Sequence, residues 1–162
     1  GLVTFNEYFD TFVPASKQVG QMQTLLENLY KQETTFGETD FSALCGHLGK
    51  HVNKRSFLVL YTNFSNMTSL NRQLVYLQQL ARQHRVLVVF FEDADLKEYI
   101  AGKSVTTEEY YRHVIAEKFA FEKRLIVSTL KQHGIYSLLT TPDKLSIDVI
   151  NKYLEMKSRQ LL

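Results

Sequence analysis

SFLVLYTNFSNMTSLNRQLVYLQQLARQHRVLVVFF, residues 56–91, is the stretch on which the fold class turns. It opens with an apolar run from Ser56 to Thr62 and closes with another from Val86 to Phe91, each of strand length and apolar at adjacent positions. A strand apolar on both faces has to be covered on both, the condition of parallel strands lying between helices. Between the runs, Leu70, Leu74, Leu77 and Ala81 recur at steps of three and four, which sets one apolar stripe along a helix. Strand, helix, strand in that order is a crossover unit, and such crossovers are right-handed and join parallel strands.

The same rhythm continues outward. Toward the C-terminus, Ile135 to Thr140 is a third buried-strand run. Ahead of it, Thr106 to His133 reads as a helix of about seven turns. That helix opens with Thr106, Thr107, Glu108 and Glu109, a cap followed by acids, and stops at Gly134. A last helix starts near Ser146 and carries Val149, Ile150, Tyr153 and Leu154. Toward the N-terminus, Leu2 to Phe5 and Tyr8 to Val13 are strands joined tightly through Asn6 and Glu7, a hairpin that puts one antiparallel strand at a sheet edge. Val19, Met22, Leu26 and Leu29 mark a helix that Ser16 can cap, and Asp40 can cap a short helix holding Leu44 and Leu48. The prediction is one α/β domain over residues 1–162: a doubly wound, mostly parallel sheet with one antiparallel edge strand and helices on both faces. Such folds place function at the carboxyl ends of the strands, here the loops that start near Phe5, Thr62, Phe91 and Thr140.

Composition sets the bounds. The chain has 162 residues, 44% hydrophobic and 22% charged, which is globular and large enough to bury a core. Nineteen basic against seventeen acidic residues leave a net charge of +2, too little to imply nucleic acid or an acidic membrane. A single cysteine, Cys45, excludes an intramolecular disulfide and a multi-cysteine zinc site, and fits a reducing compartment such as the cytoplasm. No run has the length of a membrane span, and the first residues lack the pattern of an export signal.

Each motif that can carry chemistry has a structural reading beside the functional one. Gly37, Glu38, Thr39 and Asp40 lead into a helix, where a Thr hydroxyl and backbone N–H groups can meet an anion or a metal's water, or simply cap. Asn63 follows the central strand, either facing a ligand or turning the chain before the next cap. Glu92, Asp93 and Asp95 gather acid at another strand end, as oxygen ligands for Mg²⁺ or Ca²⁺ or as the start of a short helix holding Leu96 and Tyr99. His47 and His51 lie four apart on a helix, a zinc-compatible spacing without the glutamate of a metalloprotease or a third ligand. Cys45 reads as a buried, inert thiol. The basic residues Arg112, Lys118, Lys123, Arg124 and Lys131 alternate with Glu108, Glu109, Glu117 and Glu122, the pattern of a solvated helix face. The seven scattered glycines form no phosphate loop, and there is no glycine-flanked serine elbow.

With these residues in order, the chain resembles the later part of a von Willebrand factor A domain. The segments Gly1–Phe5, Leu25–Leu29, Thr39–Phe41, Leu58–Phe64 and Ala81–His84 are similar to the A-like domain of a bacterial family of unknown function, encoded beside MoxR-type AAA+ ATPases. Ile115–Arg124 and Ile150–Leu154 resemble its Bacteroidetes version. The resemblance implies a metal-ion-dependent adhesion site built from an Asp-x-Ser-x-Ser loop, a Thr in a second loop and an Asp after the fourth strand. Thr39 matches the Thr and Asn63 stands where the Asp would be, while the first loop is absent because the match starts at the family's second strand. The site is therefore expected to be degenerate and to bind no metal, with a divalent cation confined to an intact parent protein. The missing strand would lie between Leu2–Phe5 and Ser56–Thr62, so these strands are expected to close up directly or to be completed by a second copy of the chain as a homodimer.

The function implied is a non-enzymatic protein-interaction module acting with a MoxR-type AAA+ ATPase in the assembly or maturation of other proteins. Thr39, Asp40, Asn63 and Asp93 are its contact candidates, with no catalytic residue, no cofactor, no nucleic acid and no membrane insertion by this chain. The implied location is cytoplasmic, at the inner membrane face, through N-terminal segments of the parent. The alternative is a small-molecule hydrolase with a metal-assisted site at the strand carboxyl ends, using Asp93, Asp95 and Thr39. A receiver-like or flavin-binding domain lacks its acidic pocket or phosphate loop.

Overall fold

A computed structural model describes residues 1–7, 9–33, 39–64, 66–92, 96, 99–100, 102 and 106–162. The chain divides into two compact units, Gly1–Asn53 and Lys54–Leu162. Together they form a mixed α/β protein with five helices, a two-stranded antiparallel sheet and a three-stranded parallel sheet among the described residues.

In the first unit, β1 (Leu2–Phe5) and β2 (Phe9–Val13) pair antiparallel, Leu2 opposite Val13 and Val3 opposite Phe12. The register slips between Thr4 and Phe5, a bulge that twists the hairpin locally. Helix α2 (Phe41–His51) supplies most of the core: Phe41, Leu44, Cys45 and Leu48 are buried, as is Val13 of β2. Phe41 takes the edge of Phe5 at 5.4 Å and 88°. Helix α1 (Gln21–Tyr30) is joined to the hairpin by Gln21 Nε2 donating to Pro14 O at 2.9 Å, and none of its residues is buried. Ser16 does not cap it, contrary to expectation. Its hydroxyl accepts from Gln18 N at 3.1 Å, and the helix starts after Gly20, whose φ of 92° is open to glycine without strain.

In the second unit the strands β3 (Phe57–Tyr61), β4 (Arg85–Phe91) and β5 (Tyr136–Thr140) lie parallel in the order β3-β4-β5. Val86 to Phe90 are all buried, so both faces of the central strand are covered, as its unbroken apolar run requires. The register places Phe57, Leu87 and Tyr136 on one face and Leu58, Val86 and Val88 on the other. Helix α3 (Met67–Gln83) packs on β4, and α4 (Thr107–Gln132) packs on β5 and on α3. Both crossovers advance in the same direction, and right-handedness puts their helices on a common face. Helix α5 (Leu145–Ser158) lies on the Phe57 face, where Tyr153 meets Phe57 at 5.8 Å. Leu70, Leu77 and Leu80 of α3, Ile126 and Leu130 of α4 and Met156 of α5 complete the core.

Both ends of α4 follow the sequence. Thr106 and Glu109 form a reciprocal capping box. At the other end Gly134 at φ 72° lets Ile135 N reach Leu130 O at 3.0 Å and its own N–H reach Lys131 O, a Schellman stop.

A second expectation needs correction. The strands form two sheets where the patterning predicts one: among the described residues β1 pairs with β2, and β3, β4 and β5 pair in that order, because apolar runs specify strands and not which strands pair.

Candidate functional site

The loops that leave the strand ends build the carboxyl edge of the parallel sheet. Beyond β3, Thr62 N donates to Val89 O at 3.1 Å, which carries the ladder one residue past Tyr61 and fixes where Asn63 begins. Phe64 is buried next, its ring 5.8 Å from that of Phe90, and Asn66 closes the loop by accepting from Ser69 N at 2.9 Å as the cap of α3. Into this loop reaches Lys123 from α4. Its ammonium donates to Asn63 Oδ1 and, at 3.0 Å, to the Phe64 carbonyl. Both acceptors are neutral, and partial burial holds the lysine below its ordinary value.

At the other end of the edge, Glu92 N donates to Thr140 O at 2.9 Å. The buried Thr140 hydroxyl donates to Asp148 Oδ2 of α5 at 2.5 Å, tying strand end to helix start.

Of the candidates in the first unit, Thr39 is half-buried just ahead of α2, and Asp40 is the helix cap. Asp40 Oδ1 accepts from Ser42 N at 2.7 Å and Ala43 N at 3.1 Å, while its own N–H donates to Asn6 O at 2.8 Å. Of the capping and ligand-binding readings, capping is what the carboxylate does. Asn63 belongs to the second unit, and Gly37, Glu38, Asp93 and Asp95 lie outside the described residues. Among the described residues no three His, Cys, Asp or Glu side chains gather as metal ligands.

His47 and His51 stack at 4.1 Å and 11° against Phe12, and His51 Nδ1 is 3.0 Å from His47 O. Desolvation, then the neighbouring His51 and Lys50, hold the His47 imidazole below its ordinary value. Cys45 is buried as expected, and its thiol is pushed up to about 11, by burial first and the Asp40 charge second.

The alternation of charges along α4 predicts a solvated Lys123, and the structure corrects that. The signal for an inward position is present: Lys123 stands seven residues after the buried Ala116 and seven before the buried Leu130, on the inward stripe. The Thr140–Asp148 pair has no counterpart in the sequence reading, because a tertiary hydrogen bond leaves no periodic trace.

The chain matches no protein-family model, no curated protein and no solved structure. No described helix is long and apolar enough to cross a membrane.

Proposed function

We propose that this chain is a non-enzymatic protein-interaction module on a partial von Willebrand A-like, Rossmann-like scaffold, acting with a MoxR-type AAA+ ATPase in the assembly or maturation of other proteins. The proposal includes its place at the cytoplasmic face of the inner membrane, through segments of a parent protein. Its contacts are Asn63 at the end of β3, Thr39 and Asp40 ahead of α2, and Asp93. The observation that supports it is the Lys123 ammonium on Asn63. Where the adhesion site of A domains sets a carboxylate and a divalent cation, this chain sets a neutral amide and a lysine. A positive charge held only by neutral acceptors among the described residues suits a carboxylate offered by a partner surface. A cofactor has no part in this reading.

The test is affinity capture on the intact parent protein from its own cells, comparing wild type with Lys123→Ala and Asn63→Ala. The expected outcome is recovery of an AAA+ ATPase by wild type and several-fold less by both variants. Recovery of no such ATPase, or equal recovery by all three, would sink the proposal.

A further inference from the structure

Helix α2 turns two imidazoles onto one face. Residues four apart on an α-helix stand side by side, and His47 and His51 use that spacing to stack their rings 4.1 Å apart, 11° from parallel. Phe12 of β2 backs both rings, at 5.6 Å from His47 and 5.3 Å from His51. The pair thus rests on the hairpin, which spares a ligand part of the cost of ordering two loose side chains. His47 is half-buried and His51 exposed, so the pair is open to solvent. Both lie in the last turns of α2, where the carbonyl end of a helix favours a cation and partly offsets the charge of the neighbouring Lys50.

A second observation concerns the nitrogen that carries the proton. His51 Nδ1 lies 3.0 Å from the carbonyl oxygen of His47. A carbonyl can only accept, so Nδ1 is the protonated nitrogen and the neutral ring keeps its lone pair on Nε2. One ring nitrogen donating to a backbone carbonyl while the other holds a metal is the usual arrangement of a ligating histidine, because that hydrogen bond fixes tautomer and orientation together. The distance between the rings agrees. Two imidazoles sharing one ion at about 2.0–2.1 Å have ring centres about 4.5–5 Å apart. This pair has to open by under about 1 Å, with a tilt about χ2, a torsion whose wells are broad.

The ligand type selects the ion. Imidazole nitrogen suits Zn²⁺, Ni²⁺ and Cu²⁺, whereas Mg²⁺ and Ca²⁺ take oxygen. Among the described residues no third His, Cys, Asp or Glu joins the pair, so water completes the coordination.

We propose that His47 and His51 form a two-imidazole binding site for a borderline divalent transition-metal ion, with water in the remaining positions. The inference goes beyond the proposed function and does not depend on it.

Isothermal titration of the full chain with NiCl₂ at neutral pH tests it, with circular dichroism confirming that each variant folds. Wild type is expected to bind one ion per chain, and His47→Asn and His51→Asn each to weaken binding by roughly tenfold or more. His133→Asn is expected to leave binding unchanged: His133 makes the same kind of Nδ1 contact, to Thr129 O at 2.8 Å, with no second imidazole four residues away. Electron paramagnetic resonance with Cu²⁺ is expected to show two coordinated imidazole nitrogens in wild type and one in either pair variant. No binding by wild type, binding unchanged in either pair variant, equal loss in His133→Asn, or a single nitrogen in the wild-type spectrum would each overturn the proposal.

Discussion

Helices α1 and α3 carry the same kind of stripe, apolar residues at steps of three and four, and only α3 buries it. Leu70, Leu77 and Leu80 of α3 are sealed against the sheet, while Val19, Met22, Leu26 and Leu29 in and beside α1 stand in solvent. The difference lies in the connection. A crossover between two parallel strands has to lay its helix on the sheet it spans. Helix α1 follows the hairpin through Gly20, and among the described residues the next element after it is helix α2, so it spans no pair of parallel strands. Periodicity thus specifies which face a helix can bury, and topology decides whether it does.

The comparison can be broken or sharpened by measurement. The largest expected effect is Leu77→Ala, which leaves a cavity under α3 and costs about 2–5 kcal/mol in chemical denaturation. A loss under about 1 kcal/mol would mean that the α3 stripe is no better packed than that of α1. Next is Asp40→Ala, which removes two hydrogen bonds to the start of α2 and costs about 1 kcal/mol. An unchanged midpoint would show that the hairpin alone holds α2 in place.

A gentler probe is pH. His84 ends α3 at 2% exposure, its Nδ1 accepting from Ser56 N at 3.3 Å, which requires the neutral ring. Desolvation lowers its folded-state value below 6.5. Between the two values the unfolded chain binds more protons, so this contribution is complete above pH 6.5 and declines as the pH falls toward the folded value. Denaturation midpoints are expected to fall over that window, and His84→Phe to flatten the fall. An identical decline in the variant would remove His84 as the cause. The smallest effect is Leu26→Ala in α1, expected within about 0.5 kcal/mol of wild type. A cost near that of Leu77→Ala would show that the α1 stripe is covered in solution after all.

Legibility in the sequence divides along the same line. The strands, the hairpin, the Asp40 cap and both ends of α4 are readable because each has a local cause: alternation or apolar continuity, a carboxylate two residues before an orphan N–H, a threonine three residues before a glutamate, a glycine that accepts positive φ. The separation of hairpin and parallel strands into two sheets is not readable, since ladder pairing depends on residues distant in sequence. At the candidate site, Asn63 is visible from its place after an apolar strand. Its partner Lys123, sixty residues on, passes for one more surface charge because its neighbours in sequence, Glu122 and Arg124, are charged too.

The capping box at Thr106 has a consequence for how α4 opens. The first turns of this helix have little core beneath them, and an unsupported helix of that length is marginal in water. The Thr106–Glu109 exchange fastens the end that would otherwise unravel first. Amide hydrogen exchange should therefore slow progressively from Tyr110 toward Leu130, and removing the Thr106 hydroxyl should steepen that gradient while leaving the amides of β4 untouched.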